Sequence, residues 1–221
     1  TTTIEALEAK KEYAKCNSIV NYNFFIGATH DNLNHLKQAQ NIPGIKIYVG
    51  SSTGELLVDN KTELEQIFSQ TKHTIAVHSE DEQMIQERLQ TYKGSSDVID
   101  HEKIRSAEGA LKCTKMLIEL AQKTNHHLHI CHLTTKQEVD LLRGLGTQSL
   151  ITSEVSPQHL LTYAPNVYDK WGTKAQINPP IRHQNHQRAL FLGLQEGVID
   201  FIASDHAPHT NEEKDQAFGK A

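Results

Sequence analysis

The sequence predicts an α/β protein built as a parallel β/α barrel, and three observations support this prediction. Short apolar segments alternate with longer helical stretches along the whole chain, as in successive βαβ units. Several apolar segments end in a histidine or an aspartate, and barrel enzymes place their chemistry at the carboxyl ends of the strands. No internal repeat or Pro/Gly-rich linker divides the chain, so residues 1–221 are predicted to form a single domain.

The elements follow from the spacing of apolar residues and from helix-start signals. Thr62 with Glu65, and Thr135 with Glu138, have the spacing of capping boxes. Five helices are predicted, over residues 4–14, 62–70, 104–123, 136–143 and 185–196. Six strands are predicted, over residues 19–28, 44–50, 74–80, 127–133, 149–155 and 198–204.

Six strands are fewer than the eight of a closed (β/α)8 TIM barrel. The chain opens on a helix and ends soon after the sixth strand. We therefore expect an incomplete barrel that lacks its first two strands and its last helix. A complete, open, doubly wound sheet is the alternative that composition leaves open.

Composition narrows the class of protein. The 221 residues carry a net charge of −5, which gives no basic surface for nucleic acid. No apolar run reaches the roughly 18 residues of a membrane span, and no signal peptide is visible, so a cytoplasmic protein is expected. Cys16, Cys113 and Cys131 are widely spaced, and we expect reduced thiols.

Three potential metal ligands lie at predicted strand ends. His78 ends the third strand, and alternation places His132 on one face with Leu128 and Ile130. Asp205 follows the last strand. A single such residue is more often structural, but two histidines and one aspartate together form a donor set that zinc prefers. His129 has the opposite parity to His132 and is predicted to face the outer helices.

Lys46 lies inside the second predicted strand, on the face opposite Ile45, Ile47 and Val49. A lysine desolvated inside a barrel loses its proton more readily, and the neutral amine can add carbon dioxide to form a carbamate. That anion could bridge two metal ions. A salt bridge that supports the barrel is the alternative for this residue.

Several motifs resemble those of the dihydroorotase family of cyclic amidohydrolases. The most specific is Ala-Ser-Asp-His-Ala-Pro-His-Thr at residues 203–210, followed by Glu-Glu-Lys at 212–214. Similar motifs are Gly-Ile-Lys-Ile-Tyr at 44–48, Ala-Val-His-Ser-Glu at 76–80, His-Ile-Cys-His at 129–132 and Asn-Pro-Pro-Ile-Arg at 178–182. The resemblance covers essentially the whole chain.

The resemblance implies a (β/α)8 barrel with two zinc ions that interconverts L-dihydroorotate and N-carbamoyl-L-aspartate in pyrimidine synthesis. Lys46 would bridge the metals as its carbamate, and His78 and His132 would bind one zinc ion. Asp205 would bind the other and carry the catalytic proton. Substrate-binding residues would be His209 for the carboxylate, Asn178 against the ring, and Thr53 in the Gly-containing segment 49–55.

The sequence departs from the family pattern in one respect. The first-strand His-x-His pair, and the Arg and Asn that help to hold the substrate carboxylate, are absent from these 221 residues. We therefore expect this polypeptide alone to be inactive. A hydantoinase- or allantoinase-like enzyme and a catalytically inactive scaffold homologue are the alternatives. The expected partner is a small-molecule substrate, and the sequence leaves a homo-oligomer open.

Overall fold

The computed structural model describes residues 1–51, 56–146 and 150–220. Within them, six parallel strands form one sheet in sequential order, each paired with the next along the chain. The strands are β1 (Ile26–Gly27), β2 (Ile45–Tyr48), β3 (Ile75–His78), β4 (Leu128–Ile130), β5 (Ile151–Val155) and β6 (Phe201–Ile202). This order confirms the parallel α/β prediction. The sheet is not closed among the described residues, because β1 and β6 each pair with one strand only.

Helices connect the strands, and several of them pack against one face of the sheet. They are α1 (Ile4–Asn17), α2 (Leu33–Gln38), α3 (Lys61–Gln70), α4 (Glu82–Thr91), α5 (Asp100–Ile104), α6 (Ala107–Thr124), α7 (Lys136–Arg143), α8 (Pro157–Leu161), α9 (Asn166–Trp171), α10 (Gln184–Gln195) and α11 (Asn211–Lys214), with a 3₁₀ turn at Gly172–Ala175. Within the described residues, none of these helices combines the length and apolar character that a membrane span requires.

Local signals explain where the longer helices begin. Thr135 and Glu138 form the predicted capping box at the start of α7. The box predicted from Thr62 and Glu65 is wrong: α3 is capped by Asn60, whose side chain accepts hydrogen bonds from the amides of Thr62 and Glu63. Asn60 prevails because it lies two residues before Thr62 and its side-chain oxygen accepts from two amides of the first turn, which have no partner within the helix.

The helix predicted over residues 104–123 is interrupted. Arg105 leaves the helical conformation between α5 and α6, and the Ser106 side chain then caps α6 by accepting from the Gly109 amide. Helix α6 ends at Asn125, which adopts the left-handed conformation (φ 51°) that often terminates helices. The break turns the Arg105 side chain toward the sheet.

The main core lies between the sheet and the covering helices. Register alignment places Ile45, Ile75 and Leu128 in one row across the sheet, and Ile47, Val77 and Ile130 in another. All six side chains are fully buried and belong to one apolar cluster with residues of α3, α6 and α7. The other face of these strands carries Lys46, His129 and Thr152, which are only partly buried. That polar face is the one on which the site forms.

Candidate active site

Six of the seven predicted site residues line one cavity at the carboxyl ends of the strands. They are Lys46, His78, His132, Asn178, Asp205 and His209. The cavity is completed by Tyr48, Gln158, Gln176, Ile177, Ala207 and Lys214. The seventh, Thr53, lies outside the described residues.

The two histidines meet side by side although they come from different strands. His78 Nδ1 lies 3.2 Å from His132 Nε2, and both side chains are buried. Burial lowers the pKa of His78, and burial together with the neighbouring His78 and Lys46 lowers the pKa of His132 well below its usual range. Both rings are therefore neutral at neutral pH, which is the form that binds a metal ion.

The geometry of this pair fits a zinc ion. Two nitrogens at tetrahedral positions, each about 2.0–2.1 Å from zinc, would be separated by about 3.3 Å. The observed separation of the two ring nitrogens is 3.2 Å. Nδ1 of His132 is buried without a hydrogen-bond partner among the described residues, so no competing bond turns this ring away from the pair.

His132 and Asp205 both have left-handed backbones. Their φ angles are 38° and 48°, whereas the other two non-glycine residues with positive φ in the described chain are asparagines, Asn41 and Asn125. Asparagine, aspartate and histidine adopt this conformation more often than other residues with a side chain, and such backbones also concentrate at functional sites. At both residues this backbone conformation lets the chain turn sharply as it leaves the sheet.

The structure corrects the sheet faces that were predicted for two histidines. Strand β4 ends at Ile130, so the alternation does not extend to His132, which reaches the side of the sheet that carries His78. His129, predicted to face the outer helices, instead aligns with Lys46 through the register of β2, β3 and β4. Its Nδ1 bonds to Thr152 Oγ1 at 2.9 Å and its Nε2 donates to Glu154 Oε2 at 3.0 Å.

A second group of possible metal ligands lies beside Lys46. One donor atom each from His129, Cys131 and Glu154 lies within 4.8 Å of the others. Burial raises the pKa of the Cys131 thiol, and Lys46 Nζ lies 3.1 Å from its sulfur. Burial outweighs the opposing effect of the lysine, so without a bound metal ion this thiol is protonated at neutral pH. The neutral, closely spaced nitrogens of His78 and His132 are better suited to bind a metal ion than the group around Cys131.

The sequence interpretation missed a buried charged pair behind His78. Glu80 Oε2 accepts a hydrogen bond from His78 Nε2 at 2.7 Å, and it also forms an ion pair with Arg105. Burial alone would raise the pKa of Glu80, but Arg105 and His78 outweigh it and lower the pKa to about 2. The sequence did contain a signal for Glu80: it lies two residues after His78, and residues two apart on an extended chain share a face. No local pattern pointed to Arg105.

Asp205, Asn178 and His209 approach from later segments. Asp205 is exposed at the cavity, and Asn178 Oδ1 is buried without a partner among the described residues. His209 Nδ1 lies 3.5 Å from Glu213 Oε2, close to the capping box that Thr210 and Glu213 form at the start of α11. The predicted residues that line the cavity therefore offer nitrogen, amide and carboxylate groups from five stretches of chain.

Comparison with known proteins agrees with the resemblance that the sequence motifs suggest. A dihydroorotase of Methanosarcina acetivorans is 31% identical over 229 residues, covering 97% of this chain and 48% of that protein. The chain is a homologue of dihydroorotases. A dihydroorotase of Brevibacillus brevis is 44% identical over 105 residues, which cover 47% of this chain and 25% of that protein. The chain spans about half the length of the curated relatives that align with nearly all of it. No protein-family model matches it.

The fold has relatives among solved structures. An L-hydantoinase (dihydropyrimidinase) from Arthrobacter aurescens superposes with a TM-score of 0.91 at 24% identity, covering 97% of this chain and 49% of that one. At this identity the likeness concerns the fold alone. It relates the open six-stranded sheet to the fold of hydantoinases.

Proposed function

We propose that the protein is a zinc-dependent cyclic amidohydrolase, and specifically a dihydroorotase that interconverts L-dihydroorotate and N-carbamoyl-L-aspartate. The observation that carries the proposal is the meeting of Lys46, His78, His132 and Asp205 around one cavity that His209 also lines. The similarity to dihydroorotases along 97% of the chain supports the choice of substrate. A cytoplasmic location and membership of a single barrel domain are part of the proposal.

In this proposal, His78 and His132 would hold one zinc ion, Asp205 would hold a second, and Lys46 would contribute to both as its carbamate. Bound zinc supplies a water molecule that ionises near neutral pH, and it polarises the carbonyl that is attacked. The neutral state of both histidines suits this role, because burial lowers the pKa of each.

The remaining groups handle protons and orient the substrate. Asp205 takes the proton released as the ring carbonyl is attacked and returns it to the departing ring nitrogen, and the same residue acts in reverse when the ring closes. His209 donates a hydrogen bond to the substrate carboxylate. Asn178 offers its amide to the ring, and its Oδ1 has no partner among the described residues.

The deciding experiment is an assay of the full-length protein, loaded with zinc, on four substrates. L-dihydroorotate and N-carbamoyl-L-aspartate should be interconverted, whereas hydantoin and allantoin should react far more slowly. Asp205→Asn should reduce kcat by at least about 100-fold, in line with the loss of a positioned acid–base group. Preference for hydantoin or allantoin would identify a different cyclic amidohydrolase, and zinc binding without turnover of any substrate would favour an inactive scaffold.

A further inference from the structure

The buried pair of Glu80 and Arg105 lies directly behind His78. Glu80 is 2% exposed and Arg105 is 8% exposed. The Glu80 carboxylate receives the Nε2–H of His78 at 2.7 Å and one guanidinium nitrogen of Arg105 on the same oxygen. Both contacts are shielded from water, so they retain most of their electrostatic strength.

This arrangement fixes which ring nitrogen of His78 carries the proton. A carboxylate is an acceptor only, so Nε2 of His78 must be the protonated nitrogen. Nδ1 then keeps its lone pair, and it is Nδ1 that lies 3.2 Å from His132. Glu80 therefore turns the ligand atom of His78 toward the cavity and prevents the ring from flipping.

Arg105 binds the carboxylate with one nitrogen and is itself held by two further hydrogen bonds. One guanidinium nitrogen bonds to Glu80, and the other bonds to the Ser51 carbonyl in the segment that follows β2. The Arg105 carbonyl accepts from Arg182 Nη1 at 2.8 Å. Glu80 is thus anchored to the β2 exit and to the chain before α10. Because Arg105 is held at these further points, a rotation of the Glu80 carboxylate away from His78 would break a buried ion pair.

We propose that Glu80 is a positioning residue that sets the tautomer and direction of His78 for metal binding, with Arg105 as its anchor. This inference rests on the metal site of the proposed function. When a hydrogen-bond partner behind a metal-binding histidine is removed, metal affinity typically falls by about 10- to 100-fold. It adds two residues, neither of them a metal ligand, to the machinery of the site.

The test compares Glu80→Gln with a matched control in the full-length protein. A glutamine can donate its amide to His78 Nε2 and thereby stabilise the wrong tautomer. The control is Glu138→Gln, because Glu138 is equally buried (2% exposed) but bonds to Thr114 and Thr135. Glutamine at position 138 is compatible with the capping box. A third variant, Glu80→Gln with Arg105→Met, removes both charges, so that no unpaired ion remains to unfold the protein.

Two measurements are made on each variant: zinc affinity by competition with a chelator, and the His78 tautomer in metal-free protein by ¹⁵N NMR. His78→Ala identifies the zinc that depends on this residue. We expect about 10- to 100-fold weaker zinc binding and a mixed tautomer in both Glu80 variants, with the control unchanged. Wild-type affinity together with an unshifted tautomer in either folded Glu80 variant would overturn the proposal.

The outcomes also separate this inference from the proposed function. Zinc bound through His78, weakened by Glu80→Gln, in a protein that does not turn over dihydroorotate supports the positioning role and counts against the substrate. A wild-type protein that binds no zinc through His78 overturns both.

Discussion

Nζ of Lys46 lies 3.1 Å from Sγ of Cys131, although 85 residues separate the two in sequence. The same amine lies 5.0 Å from the centre of the Tyr48 ring. No carboxylate of the described residues comes within ion-pairing distance of Lys46. The alternative that this lysine supports the barrel through a salt bridge therefore has no counterpart in the described part of the chain.

Removing the Lys46 amine tests its bridging role. In the full-length protein, Lys46→Ala should lose dinuclear zinc binding, because no neighbouring group replaces the two oxygens of a carbamate. Acetate or propionate should enter the vacated space and restore part of the activity. Metal content of the folded variant is measured with and without the added acid.

Cys131→Ala is the matched control for Lys46→Ala. It removes the group that contacts the amine while leaving the lysine in place, and it should keep two zinc ions. Two zinc ions per chain in unrescued Lys46→Ala, with near-normal turnover, would contradict the bridging role.

His209→Ala should weaken substrate binding while metal content is kept. The loss of a hydrogen bond to a charged carboxylate costs about 1.5–3 kcal/mol, which corresponds to a KM roughly 10- to 100-fold higher. Zinc content and dihydroorotate kinetics are measured on the same preparation. His206→Ala is the control, because His206 is exposed and does not line the cavity. Loss of zinc with an unchanged KM in the remaining active fraction would make His209 a metal ligand instead.

The stability of the protein should depend on pH through His101. This buried residue donates Nε2–H to the Ile177 carbonyl at 2.8 Å, and burial lowers its pKa from 6.5 to about 4. The unfolded chain takes up a proton below about pH 6.5 and the folded chain does not. Stability from this residue is therefore present above pH 6.5 and falls on acidification toward pH 4, by up to about 3 kcal/mol.

Chemical denaturation of the full-length protein between pH 4 and 7 checks this dependence. His101→Gln keeps a donor for the Ile177 carbonyl but cannot titrate, so its unfolding free energy should vary less over this range. His127→Gln, at an exposed position, should follow the wild type. Identical pH curves for wild type and His101→Gln would show that His101 is not kept neutral by burial.

Gly50 leaves room for Glu80, and Gly50→Ala should disturb it. A Cβ at this position would lie 2.7 Å from Glu80 Cβ and 2.9 Å from the Glu80 carbonyl oxygen. We expect a destabilisation of about 1–3 kcal/mol, which is typical of overpacking, together with weaker zinc binding. Gly109→Ala in α6 is the control, since its nearest contact would be an ordinary 3.5 Å and alanine favours helices. Equal stabilities of the two variants would mean that the segments around Gly50 and Glu80 move apart without a loss of stability.

The sequence by itself determined the alternation of strands and helices, the parallel class of the sheet, and the capping box of α7. These features depend on residues close together in the chain, and their periodicity and hydrogen bonding are set locally. The placement of Lys46 opposite Ile45 and Ile47 followed in the same way, because the alternation holds throughout β2. The roles of the residues that line the cavity remain predictions.

Only the tertiary structure decided which way the histidines of the fourth strand face, and what stands behind His78. The alternation that predicted the direction of His132 stops at Ile130, where the chain leaves the sheet and turns through a left-handed residue. Periodicity carries no information beyond the last paired residue. Arg105 meets Glu80 because the break between α5 and α6 turns its side chain toward the sheet, and 25 residues separate the two. Such a pair depends on the packing of whole elements, so no local spacing in the sequence announces it.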